Sequence, residues 1–210
     1  MINTRVNLKG DGLVKKAELL NRMLENNNGY LYTTEVVNSG ISKTYLANFV
    51  KLNGLERVAQ GIYISADTWN DELFVLQKRY STVVFDRETA LYLHGLTDRE
   101  YSKVHVGVPK GFNPYRLKEK GIIVHIYSEE VYPMGIVEMQ TNFHNKVRVY
   151  DKERCICDMV ADRPNIEVQI FQTAMKEYMA DSKKRLSVLM EYAEKLQMRD
   201  EIMKYVEVML

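Results

Sequence analysis

The sequence predicts an α+β protein: a helix-turn-helix closed by a hairpin, then a larger mixed α/β domain ending in a helical segment. Three observations carry this. Residues 33–65 hold two short helical patterns and two β-prone runs, each closed by its own stop signal. From residue 82, β-branched runs alternate with helical stretches, and beyond Pro164 only helical spacing remains. With 210 residues and 46% hydrophobic content, the chain has enough apolar material for two cores. The expected domains are 1–66 and 67–210, with the boundary falling between 66 and 80.

The first helix should span Lys15 to Asn27, where Ala17, Leu20 and Leu24 share a face and Asn28-Gly29 ends the run. Tyr30-Leu31-Tyr32 follows as a short strand able to pair with the hairpin, and Tyr32 and Tyr63 read as packing residues. Thr33 to Asn38 forms a second helix, broken by Ser39-Gly40. Ser42 caps a third helix reaching Asn53, because its hydroxyl can accept from an orphan N–H of the first turn. Gly54 ends that helix with a residue that tolerates positive φ. Leu46, Phe49 and Val50 form its apolar stripe, while Lys43, Thr44, Asn48 and Lys51 fall on other faces and Tyr45 borders both sets. Leu55 to Val58 and Ile62 to Ser65 are the hairpin runs, turning at Ala59-Gln60-Gly61. This order is that of a winged helix-turn-helix, and a third helix about 18 Å long suits the DNA major groove. Ser42, Lys43, Thr44, Tyr45 and Asn48 are the candidate DNA-reading set, with Lys51, Arg57 and Gln60 toward the backbone. Units of this shape also serve as protein-docking modules.

In the second domain, Asp71 to Arg79 is helical with Leu73, Leu76 and Tyr80 on one side, and Thr82 to Phe85 is a strand. Asp86 is placed to cap a helix from Glu88 to His94, closed by Gly95. Lys103 to Val108 alternates as a half-buried strand, with the valines on one face and Lys103, His105 and Gly107 on the other. Pro109 to Gly121 forms a basic, aromatic loop with Lys110, Arg116, Lys118 and Lys120, able to meet phosphates or bases or to stay a solvated surface. Ile122 to Tyr127, Gly135 to Thr141 and Lys146 to Tyr150 complete the strands, the last two as a hairpin. Asp151 caps a helix over Lys152 to Ala161, which Arg163-Pro164 ends. Helices at 166–180, 182–196 and 199–209 follow, the middle one opened by Lys183-Lys184-Arg185, where cations oppose the macrodipole.

Twenty-nine Lys and Arg against 28 Asp and Glu leave no global field to draw in nucleic acid. Residues 1–65 nevertheless hold eight basic residues (Arg5, Lys9, Lys15, Lys16, Arg22, Lys43, Lys51, Arg57) against five acidic ones (Asp11, Glu18, Glu25, Glu35, Glu56). Cys155 and Cys157, the only cysteines, are spaced to point to different helix faces, which suits neither a disulfide nor a zinc knuckle and fits a reducing cytoplasm. No apolar run approaches a membrane span, and the N-terminus lacks a signal-peptide core. No nucleotide loop, nucleophile elbow or metalloprotease motif is present, and Glu138-Met139-Gln140 lacks the lysine of a nuclease E-x-K. His94, His105, His125 and His144 show no carboxylate spacing for a metal. The chain is therefore expected to have no catalytic residues, cofactor or metal.

Arg57-Val58-Ala59-Gln60-Gly61-Ile62-Tyr63, the segment Thr89 to Thr97 (TALYLHGLT), and Val149 to Arg154 (VYDKER) with Cys157-Asp158-Met159-Val160 come in an order that resembles the AbiEi antitoxins of bacterial abortive-infection systems. The resemblance covers both domains. It implies a DNA-binding N-terminal domain that represses its own operon, at operator DNA with inverted repeats. It also implies a C-terminal domain that counters a nucleotidyltransferase-like toxin encoded beside it. On that reading the basic loop and the triplet Lys183, Lys184 and Arg185 are the candidate antitoxin surface. The alternative is a docking or nuclease-associated defence protein without specific operator binding.

Overall fold

In the computed structural model, residues 8–209 are described, with side chains from residue 13. The expected basic and acidic residues Arg5, Lys9 and Asp11 lie outside those side chains. The fold is mixed α+β and divides into two compact units, one ending at Arg79 and one starting at Tyr80.

The first unit runs α1 (Leu8–Asn26), β1 (Tyr30–Tyr32), α2 (Thr33–Asn38), α3 (Lys43–Leu52), β2 (Glu56–Ala59), β3 (Ile62–Ile64) and α4 (Glu72–Arg79). Its sheet has the order β1-β3-β2, all antiparallel, so β1 does pair with the hairpin, Leu31 opposite Tyr63. The register slips between Arg57 and Ala59, a bulge that twists the hairpin. Leu20, Met23, Leu31, Val36, Ile41, Leu46, Phe49 and Leu55 make one core. Burying Leu46 and Phe49 contributes about 1.5–3 kcal/mol each. Helix α4 belongs here because Val75 closes a second cluster with Tyr30, Ile62 and Ile64. The division after Arg79 falls at the far end of the 66–80 range. On α4 the buried pair is Val75 and Leu76, not Leu73 with Leu76.

The second unit holds β4 (Val84–Phe85), α5 (Arg87–Leu93), β5 (His105–Pro109), α6 (Tyr115–Lys118), β6 (Ile123–Tyr127), β7 (Ile136–Gln140), β8 (Lys146–Tyr150), α7 (Lys152–Ala161), α8 (Val168–Ala180), α9 (Leu186–Lys195) and α10 (Arg199–Met209). The mixed sheet has the order β6-β5-β4-β8-β7. β5 is therefore internal, and Val106, Gly107 and Val108 are all buried, so the expected half-buried alternation gives way to burial on both faces. Gly107 is where the sheet needs a bare backbone: an added Cβ would lie 2.6 Å from the Tyr127 ring and 2.9 Å from that of Tyr150. Residues 153–160 of α7 are all buried, and the helix packs against α5, α8, α9 and α10. Asp151 caps it as expected, accepting from Arg154 N at 2.9 Å. The basic triplet does not open α9, which starts at Leu186: Lys183 and Lys184 lie in the preceding turn and Arg185 is the N-cap position.

Candidate functional site

Helix α3 is set by local chemistry at both ends. Ser42 Oγ accepts from Tyr45 N at 3.2 Å, and Gly54 takes φ +64° just past the C-terminus. At about 100° per residue, Lys43, Ala47, Lys51, Thr44 and Asn48 sweep an arc of roughly 140°. All five are exposed, while Leu46 and Phe49 on the opposite side are buried. Ser42 and Arg57 are exposed as well. Arg57 Nε donates to the Ala59 carbonyl at 3.4 Å, which lays its side chain along the hairpin. Two of the predicted residues have side chains engaged by other parts of the first unit. Tyr45 is half-buried against α1, its hydroxyl donating to the Leu13 carbonyl at 3.0 Å with Lys16 Nζ 5.8 Å from its ring centre. Gln60 at the hairpin tip accepts twice from Arg79 of α4, through its side-chain oxygen at 3.1 Å and its carbonyl at 3.2 Å. The structure thus gathers Lys43, Thr44, Asn48 and Lys51 on one open face, with Ser42 exposed at the N-cap.

In the second unit, Lys110, Arg116, Lys118 and Lys120 are all exposed. Their loop is less irregular than its composition implies, since buried Leu117 pins the short helix α6 and Lys110 N donates to the Tyr127 carbonyl at 2.8 Å. The triplet is different in kind. Arg185 donates to Asp151 Oδ2 at 2.8 Å and to Glu153 Oε2, and its backbone N–H reaches Glu153 Oε1 at 3.0 Å. Burial pushes the Glu153 carboxyl up, but the hydrogen bonds from Arg185 outweigh it and hold the group below its usual value. Arg185, itself half exposed, therefore neutralises two largely buried carboxylates, while Lys183 is exposed and Lys184 half-buried with its ammonium 3.5 Å from the Asp181 carbonyl.

Within the second unit, the segments 89–97 and 149–160 contribute to buried polar contacts. Arg154 is fully buried, donates to Asp158 Oδ1 at 2.9 Å and to the carbonyls of Val131 and Met134, and lies against the rings of both Tyr127 and Tyr150. His94 shares a 2.7 Å hydrogen bond with the Tyr150 carbonyl, and Thr89 Oγ1 accepts from His105 N at 2.8 Å. Tyr127 donates to Asp86 Oδ2 at 2.9 Å and to Asp158 Oδ2 at 3.3 Å. Burial and then those two carboxylates raise the Tyr127 phenol above its usual range, so it stays a donor.

Asp86 does not cap α5 as expected. It occupies the N-cap position, yet its carboxylate makes no cap bond; it turns inward to accept from His125 Nδ1 at 2.8 Å. The next residue, Arg87, sits at φ +45°, a strained value for a non-glycine residue that holds this turn. His105 stacks on His125 with ring centres 5.6 Å apart, and burial pushes its imidazole down to about 4 against the pull of Asp86. The histidines that looked scattered are therefore not all isolated: His105 and His125 lie with Asp86 in a group whose potential ligand atoms are within 4.8 Å of one another, which the lack of carboxylate spacing did not suggest. Sequence spacing hides it because His105 and His125 sit on β5 and β6 and Asp86 just past the end of β4, brought together only by the β4-β5-β6 neighbourhood. Among the described residues no helix is long and apolar enough to cross a membrane. No family model matches the chain, and no curated protein matches it.

Proposed function

We propose that the protein is a DNA-binding autoregulatory repressor and antitoxin that works by binding rather than by turnover. On this reading the first unit is a winged helix-turn-helix, α3 its recognition helix and β2–β3 its wing. The observation that carries the reading is the open face of α3: Lys43, Thr44, Asn48 and Lys51 are exposed together, on a helix capped at Ser42 and anchored through Leu46 and Phe49. Lysines and small polar side chains in the first turns of such a helix are suited to phosphates and base edges. The second unit carries the antitoxin role against a nucleotidyltransferase-like toxin. This part rests on the resemblance to the AbiEi antitoxins, and the exposed cations of the 110–120 loop and Lys183 and Lys184 are its candidate surface. Two free, buried cysteines fit a reducing cytoplasm.

Fluorescence anisotropy with the DNA upstream of the gene and with random DNA tests the first role. Binding that prefers upstream DNA and weakens steeply with salt is expected. Equal, weak binding to both sequences would refute operator recognition. A second reading, a protein-docking module, is favoured by Leu52 at the end of α3, which is 85% exposed. It predicts capture of a protein partner that Leu52→Ser abolishes, with no preference among DNA sequences.

A further inference from the structure

We propose that Asp86, His105 and His125 bind a divalent transition-metal ion, with zinc the best-matched occupant. One carboxylate oxygen and one nitrogen from each ring lie within 4.8 Å of one another. Two atoms in the group point to a ligand. Asp86 Oδ1 and His105 Nδ1 are both buried and without a hydrogen-bond partner, although the Asp86 side chain is 0% exposed. A fully buried carboxylate oxygen left alone bears the whole desolvation cost of the group, and a cation removes that cost.

The donor set selects the class of ion. Two imidazoles and one carboxylate are the ligands of catalytic-type zinc and mononuclear iron sites, which keep open positions for water or substrate oxygens. Magnesium and calcium prefer oxygen alone. The histidine side chains are 12% and 19% exposed, so an ion has a route from solvent. The surroundings hold the ligands as a metal site requires: the Tyr127 hydroxyl and His125 Nδ1 both bond Asp86 Oδ2, which leaves Oδ1 as the unbonded oxygen, and the Thr89 hydroxyl holds the backbone at His105. Charge agrees. Asp86, Glu88, Asp158 and Asp162 face this region against Arg87 and Arg154, an imbalance that a doubly charged cation offsets. All three ligands lie in the second unit, so the inference stands apart from DNA reading.

The test uses the full chain, stripped with chelator and dialysed against zinc, with magnesium as the comparison ion. One zinc per chain is expected, with magnesium not retained. His105→Ala and His125→Ala should each abolish it, while His144→Asn, in an exposed turn, should not. Tyr127→Phe keeps all three ligands and should weaken affinity about 10–100-fold. Cobalt(II) gives a readout without any variant: it should broaden the ring protons of His105 and His125 in the NMR spectrum and spare those of His94 and His144. Absence of saturable zinc binding overturns the proposal. So does binding that survives both histidine substitutions, or broadening centred on His144.

Discussion

Arg154→Met tests whether the second unit depends on its buried charge network. The guanidinium is fully buried, 2.9 Å from Asp158 Oδ1, and its ring contacts with Tyr127 and Tyr150 are 4.7 and 4.6 Å. Methionine restores much of the volume, so lost packing is the smaller effect. The larger one is Asp158, left as a buried carboxylate without its counter-charge, for which about 3–5 kcal/mol is expected. The carbonyls of Val131 and Met134, which lose charge-assisted donors, move the expectation toward the upper end. Hydrogen exchange of the α7 amides reads this locally, and exchange should speed up by roughly a hundred- to several-thousand-fold. The double variant Arg154→Met, Asp158→Leu should recover most of the loss, because neither charge is left alone. Burial already raises the Asp158 carboxyl against the pull of Arg154, and removing Arg154 raises it further. A carboxyl raised in the folded state favours folding below its unfolded pKa and loses that contribution as pH rises through the folded value. The deficit of Arg154→Met should therefore be smaller at about pH 5 than at about pH 8. A loss below about 1 kcal/mol, the range of surface pairs, or a deficit independent of pH would refute the reasoning.

Four further outcomes are expected. Asn48→Ala should cost about 1–3 kcal/mol on operator DNA and little on random DNA, measured by competition binding; equal losses on both would remove Asn48 from base reading. Arg57→Ala should lower the salt slope of log K by about 0.9 if it holds one phosphate, and an unchanged slope would place it outside the interface. Lys183→Glu with Lys184→Glu should impair rescue from the toxin in cells while leaving repression intact; Arg185 is kept because it neutralises Asp151 and Glu153. Cys155 and Cys157 are buried, the Cys157 thiol being pushed up to about 12 by burial, so both should react with a thiol reagent only on unfolding, and prompt labelling of native protein would contradict their packing.

What the sequence made legible was local. Ser42, Gly54 and Asp151 act within a few residues of themselves, and the caps and the turn they specify are where spacing placed them. Longer-range placement was not legible. Asp86 carries the side chain of a helix cap, yet His125 and Tyr127, brought close by the sheet, compete for its carboxylate and win. Tyr45 and Gln60 lie in the elements where spacing placed them, but their side chains are bonded to Leu13 and Arg79, distant in sequence. Arg185 looked like one of three surface cations because its partners Asp151 and Glu153 cap and open a different helix. The buried face of α4 was hidden for a related reason: the pattern Leu73-Leu76-Tyr80 competes with Val75-Leu76, and only the cluster formed with Tyr30 and Ile62 decides between them.

The burial of α7 bears on the order in which the protein is made. A helix enclosed over residues 153–160 by α5, α8, α9 and α10 cannot reach its final surroundings while α9 and α10 are still inside the ribosome. Arg185, which neutralises Asp151 and Glu153, also emerges after them. The first unit is complete in sequence at Arg79, so during synthesis it can fold while the second unit waits for α9 and α10. A nascent chain therefore passes through a stage with one finished unit and one that still exposes apolar surface. That interval is when chaperones and proteases have most access to it.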